Sequence, residues 1–309
     1  MPRRRRPEPP LPPRDGLGPA RVRMPVHVEH PTVVSFLAAL TGDEEGVRRR
    51  LAAGEIVLAD GTPVGEGTPY RPGGTAYLYR DLPEEVPVPG ELLVLLRDDD
   101  TGLLAVDKPP FLATTPRGGH VAQTALVRLR RALDLPELTP VHRLDRLTSG
   151  VLLLTTRAAA RRPYQVLVQT GGLRKTYEAL APLPEGRDLP LLVHDRLVKT
   201  RGELQARVVP GPPNARTLVE LLDVVEPGVG RYRLTPTTGQ THQLRVHLAG
   251  LGIPILGDPL YPVVSDVAPG DFSNPLQLLA AEVCLTDPLS GRERRITSAR
   301  TLPIGPPTG

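Results

Sequence analysis

HRLDRLTSGVLLLTT, residues 142–156, sets four ionisable side chains (His142, Arg143, Asp145 and Arg146) against an unbroken apolar run. The run VLLLTT is short and follows the turn residues Ser149 and Gly150, so it reads as a buried strand. A carboxylate between two arginines therefore stands at the entrance of the core. A surface loop can be this polar without purpose, so the rest of the chain has to say what the carboxylate serves.

At 309 residues the chain has room for one large domain or two smaller ones with a real hydrophobic core. No stretch approaches the ~18 consecutive apolar residues of a membrane span. The opening MPRRRRPEPPLPP is basic but has no apolar segment behind it, unlike a secretory signal. One cysteine, Cys284, excludes an internal disulfide and a cysteine-built zinc site, and its EVCLT context reads as core. The expectation is a cytoplasmic protein with no membrane association and no obligate protein partner.

The net charge is +4, but residues 1–25 carry seven arginines against Glu8 and Asp15. The remainder is close to neutral, so nucleic-acid binding there requires a local patch rather than a global field. With no Trp and only 3% aromatics, a broad base-stacking platform is not expected.

Composition divides the chain into three parts. Residues 1–31, with nine prolines, read as a disordered tail. Residues 32–90 read as a small module, TVVSFLAALT and EEGVRRRLAAG forming helices and IVLADGTPV and TAYLYRDLP strands. This module loosely resembles a small RNA-binding unit of the ribosomal-protein kind. Residues 91–309 read as strands and loops with few helices, which favours an α+β domain. TALVRLRRALDL carries Leu126, Leu129 and Leu133 at helical spacing, with Arg128, Arg130 and Arg131 as an alternative phosphate-facing cluster or a solvated face.

Standard catalytic patterns are missing from the sequence: no phosphate-binding glycine loop, no nucleophile elbow and no H-E-x-x-H. His142, Asp145 and Ser149 lie within eight residues, unlike the separated segments that build a hydrolase triad. No metal site and no cofactor are expected. A second polar stretch, TGQTHQLRVHLAGLGIPILGDPLY (238–261), reads as a helix capped by Thr238 or Thr241. Leu244, Leu248 and Leu251 form its buried stripe, while His242 and Arg245 share another face.

HRLDRLTSGVLLLT resembles the signature of the RluA-type pseudouridine synthases. TGQTHQLRVHLAGLGIPILGDPLY is similar to the same family's C-terminal signature, VDKPPFLATTP to its opening lysine-proline segment, and RKTYEAL to the segment with its tyrosine. The four segments occur in the family's order across roughly residues 91–300. The resemblance implies a mixed, largely antiparallel sheet with a central RNA-binding cleft, preceded here by the small N-terminal module. It implies isomerisation of uridine to pseudouridine in structured ribosomal or transfer RNA without metal or cofactor. By match of motif, Asp145 is the catalytic carboxylate, Arg245 its ion-pair partner and Tyr177 the tyrosine packed on the base. Arg143 matches the residue that wedges into the RNA, and Arg146, His242 and Lys108 join it as expected RNA contacts. Asp145 acts as nucleophile or as base in an elimination route, and the sequence leaves both open. Gln240 and Ala280 depart from the pattern, standing where arginine and histidine are common. Two alternatives remain at this point: an idle RNA-binding protein of the same fold, and a glycoside or nucleoside hydrolase. The second lacks the paired carboxylate such enzymes use.

Overall fold

The computed structural model describes residues 9–306 apart from 83 and 187, and divides into two units between Glu84 and Glu85. The break lies ahead of the expected boundary at 90. The Glu85 carboxylate accepts the backbone N–H groups of Val121, Ala122 and Gln123, and Val88 is buried in the larger core. Those contacts assign residues 85–90 to the second unit.

In the first unit, β1 (Ala20–Arg23) precedes α1 (Val33–Thr41), α2 (Glu44–Ala52), β2 (Ile56–Leu58) and β3 (Thr75–Leu78). The three strands pair antiparallel in the order β1-β3-β2. Thr32 and Ser35 close a reciprocal capping box at α1, and Asp43 caps α2. The strand β1 and the buried Met24 lie inside the stretch expected to be a disordered tail, so that expectation fails for residues 20–24. The reason is local: ARVR alternates its side chains and pairs residue for residue with Thr75–Leu78. Residues 1–8 of that tail lie outside the described residues.

The second unit opens with the hairpin β4 (Leu93–Asp98) and β5 (Leu103–Lys108), then α3 (Ala125–Leu133), β6 (Thr139–Pro140), β7 (Ser149–Thr155) and α4 (Ala158–Gln169). It continues through β8 (Arg174–Pro182), β9 (Leu191–Asp195), β10 (Leu197–Val198), β11 (Arg207–Val208), β12 (Ala215–Glu226) and β13 (Val229–Pro236). The helix α5 (Gln243–Gly250) and strands β14 (Leu278–Thr286) and β15 (Glu293–Thr297) complete it. The main sheet runs β4-β5-β7-β14-β8-β13-β12-β9, with β15 beside β14 and β6 beside β7. It is the mixed, largely antiparallel sheet expected; β7 and β14 form its parallel pair.

The unbroken run at 151–154 now has a physical cause. Leu152 and Leu154 enter one core with Leu126 and Leu129 of α3, while Val151 and Leu153 enter a second with Ala160 and Tyr164 of α4. A strand covered on both faces has no polar side to alternate with. Gly150 sits at its head with φ +106°, where a Cβ would lie 2.3 Å from the Ala280 carbonyl oxygen. Only glycine permits that approach. It brings the loop carrying Asp145 to the edge of β14.

The fate of β1 yields a test. Met24→Ala should destabilise the first unit by roughly 2–5 kcal/mol, the usual cost of emptying a buried methionine site. Denaturant unfolding followed by a probe in residues 9–84 should show it, with the transition of the larger unit unmoved.

Candidate active site

Asp145, Tyr177 and Arg245 line one cavity of about 100 Å³, together with Arg143, Lys175 and His242. Three separate pieces of backbone deliver them: the loop before β7, the strand β8 and the helix α5. This is the convergence that isolated motifs cannot show.

The loop bearing Asp145 is held by its backbone. Thr114 donates its hydroxyl to the Leu144 carbonyl (2.7 Å) and accepts the Leu144 N–H (3.2 Å). On the other side of Asp145, the Lys108 ammonium donates to the Arg146 carbonyl (3.2 Å), and also to those of Pro109 and Leu112. A turn bond from Thr148 N–H to the Asp145 carbonyl closes the loop. Lys108 is wholly buried, so it is not the RNA contact expected from the sequence. Burial pulls its pKa down to about 7, opposed by the charge of Asp145. Its three donors meet three carbonyls, a geometry that favours the ammonium.

His142 is likewise internal. Its Nε2 accepts the N–H of Leu153, and burial drives the ring pKa to about 3. A neutral imidazole therefore ties the loop to β7. Arg143 is exposed and faces the cavity, whereas the exposed Arg146 contributes its carbonyl to Lys108 and its side chain is not part of the cavity wall.

Arg245 corrects a second expectation. It does not pair with Asp145. Its Nε and Nη2 bond the two oxygens of Asp258 at 2.7 and 2.5 Å, both side chains being almost fully buried. Asp258 also accepts the N–H groups of Leu260 and Tyr261, so the GDPLY turn is a preformed anion for the arginine. Gly257 lets that turn form: its φ is +72°, and a Cβ would meet the Pro275 carbonyl oxygen at 2.4 Å. The guanidinium thus enters the cavity wall already neutralised on one edge.

The start of α5 also differs from expectation. Neither Thr238 nor Thr241 caps it; His242 occupies the N-cap with φ +59° and no side-chain cap bond. Gln243 takes over instead. Its carbonyl oxygen accepts Thr238 Oγ1 and the Gln240 N–H, and its amide donates to the Arg216 carbonyl and Thr217 Oγ1. His242 turns its Nδ1 to the Tyr261 hydroxyl at 2.9 Å and keeps its place on the cavity wall. Burial lowers its pKa, with Asp145 opposing.

Tyr177 is buried among the first core's residues, and burial together with the Asp145 charge pushes its phenol up. It is a neutral phenol at neutral pH. Lys175, two residues earlier on the same strand, also lines the cavity and has its pKa lowered by burial. The sequence reading missed it, although strand periodicity puts residues 175 and 177 on one face. Other expectations resolve to structure. Arg128 bonds the carbonyls of Val88 and Gly90, and Arg130 that of Leu138, so these two are fastened to backbone rather than offered to phosphate. Gln240 is exposed, its amide on the Asn214 carbonyl, and Ala280 is buried against Gly150. Cys284 is only partly buried, bonded to Glu282, and lines a groove rather than the core. Among the described residues no group of three or more His, Cys, Asp or Glu side chains gathers to hold a metal, and no helix is long and apolar enough to cross a membrane.

Comparison with known proteins gives this arrangement its class. The RNA pseudouridylate synthase family profile matches residues 102–250, the span from β5 to α5. An RNA pseudouridine synthase of Chloroflexus aurantiacus is 34% identical over 293 residues, covering 85% of this chain and 84% of its own. The dual-specificity RNA pseudouridine synthase RluA of Escherichia coli K12 is 35% identical over 207 residues, 64% of this chain and 89% of its own. Among solved structures, human RNA pseudouridylate synthase domain containing 4 superposes with a TM-score of 0.51 at 25% identity, over 68% of this chain and 89% of that one. The chain belongs to the RluA-type RNA pseudouridine synthases. Its activity is the isomerisation of uridine to pseudouridine in RNA, and nothing favours an idle binding protein.

The buried ion pair is open to test. Asp258→Asn keeps the shape of the turn but leaves the Arg245 guanidinium buried without a counter-charge. The chain should lose about 3–5 kcal/mol of stability in denaturant titrations.

Proposed function

We propose that Asp145 is the reacting carboxylate and that the 100 Å³ cavity receives one uridine withdrawn from structured ribosomal or transfer RNA. The observation that carries this reading is the meeting of Asp145, Tyr177 and Arg245 on a single recessed wall. Chemistry at the glycosidic bond needs the nucleotide turned out of its stack, so the uridine must leave the helix to meet this wall. Arg143, exposed at the rim beside Asp145, is placed to fill the gap it leaves.

In the reaction the N1–C1′ bond breaks, the uracil turns, and C5 bonds to C1′, while the C5 proton passes finally to N1. Asp145 acts at the sugar, either bonding to C1′ or removing a ribose proton. Tyr177 packs on the detached ring as a neutral phenol, its pKa being raised. It serves better as a platform and hydrogen-bonding group than as a standing base. The edge of Arg245 not engaged by Asp258 faces charge that develops between sugar and base.

Asp145→Asn removes the charge and almost none of the volume. Pseudouridine formation should fall by more than a thousandfold, a scale typical of losing a covalent or acid-base group (roughly 10³–10⁶). RNA affinity should change little. Pseudouridine mapping of total RNA from cells with the wild-type or the asparagine chain reads the first effect and names the target. Sites that persist in the asparagine strain at wild-type level would move the chemistry elsewhere.

A further inference from the structure

A groove of about 1130 Å³ opens beside the catalytic cavity and shares Arg143, Asp145 and Lys175 with it. Part of its wall lies where β8, β14 and β15 run side by side. Arg174, Cys284 and Arg295 occupy one rung across these three strands. Residues directly opposite on antiparallel strands share a face, so the two arginines flank Cys284, their backbones roughly 10 Å apart.

The charges in the groove are not equivalent. Arg295 is neutralised by Glu282, and Arg294 is held by Asp98 and Asp287. The side chains of Arg143, Arg174 and Lys175 make no hydrogen bond or ion pair among the described residues. Against these three stand the carboxylates of Asp145 and Glu293. Burial and the bond to Glu282 push the Cys284 thiol up, so no thiolate charge opposes an anion there. No Phe, Tyr or Trp lines the groove, so it offers no stacking surface for bases. What it offers is three cationic side chains without a protein partner, two of them shared with the cavity that holds Asp145, on a chain that is otherwise near neutral beyond its first residues.

We propose that this groove carries the RNA strand flanking the target uridine, with Arg174 binding a backbone phosphate. The inference rests on reading the adjoining cavity as the uridine pocket. Contacts of this kind fix position and register without reading sequence. Arg174 opens β8, the strand that also carries Lys175 and Tyr177, and it lines the groove outside the uridine pocket.

The test uses the full chain and a fluorescein-labelled stem–loop transcript with uridine in its loop, titrated between 50 and 200 mM salt. A sequence-independent contact does not require the natural target. Arg174→Gln should weaken binding and lower the slope of log affinity against log salt by about 0.7–0.9, the value of one lost phosphate contact. Arg174→Lys should restore the slope. Arg97→Gln, on β4 at the end of the sheet, should leave it unchanged. An unchanged slope in Arg174→Gln, or an equal drop in Arg97→Gln, overturns the proposal. The pocket reading stands or falls separately, on whether Asp145→Asn abolishes product.

Discussion

The peptide groups on either side of Asp145 are gripped by two buried side chains, Lys108 at the end of β5 and Thr114 just beyond it, and the rest of the site depends on that grip. Thr114 takes both the N–H and the carbonyl of Leu144, and Lys108 takes the carbonyl of Arg146. A carboxylate on a free loop samples many positions; one whose neighbours are bonded to a packed core samples few. The cost is a wholly buried ammonium, offset by three carbonyl acceptors and the charge of Asp145 nearby. The sheet is arranged to make this possible. Lys108 ends β5 and pairs with Gly150 at the head of β7, which in turn lies hard against Ala280 of β14.

The electrostatics around the carboxylate follow a division of labour. Arg245 is committed to Asp258, and His142 is held neutral by burial. The positive side chains on the cavity wall without a protein partner are therefore Lys175 and Arg143, one half-buried and one exposed. Neither is tied to a protein carboxylate, so both stay available to the substrate. A site that neutralised Asp145 with a fixed internal partner would have to break that pair on every turnover. Here the strong pair is placed one step back, where it orients α5 and the GDPLY turn.

Much of this was legible in the sequence where a pattern repeats or a motif is long. The run at 151–154 and the helix at 125–133 took the expected form, since apolar spacing reports burial directly; of the expected stripe Leu244, Leu248 and Leu251, the first two are buried and Leu251, just past the end of α5, is half-buried. Asp145, Tyr177 and Arg245 were legible through long ordered motifs, and they meet in one cavity. Two failures share a cause: a charged letter does not say whether it is buried. Lys108 reads as a cation for RNA and is an internal clamp, and Arg245 reads as the partner of one aspartate and has another 13 residues on. Strand β1 was hidden for a different reason. Four alternating residues within a proline- and arginine-rich stretch are too few to outweigh composition, and only their pairing with β3 reveals them.

The central claim, that Asp145 works because its backbone is pinned from both sides, is tested most directly at Thr114. Thr114→Val keeps the side chain's shape and removes its two hydrogen bonds to Leu144; Thr114→Ser keeps the hydroxyl. Single-turnover rates and RNA affinities of both should be measured beside a thermal melt. The account predicts that valine lowers the rate roughly ten- to hundredfold, the scale of a misplaced reacting group, while affinity stays within about twofold. Serine should recover most of the rate. A valine variant that isomerises RNA at the wild-type rate would contradict the account, as would a serine variant no faster than valine.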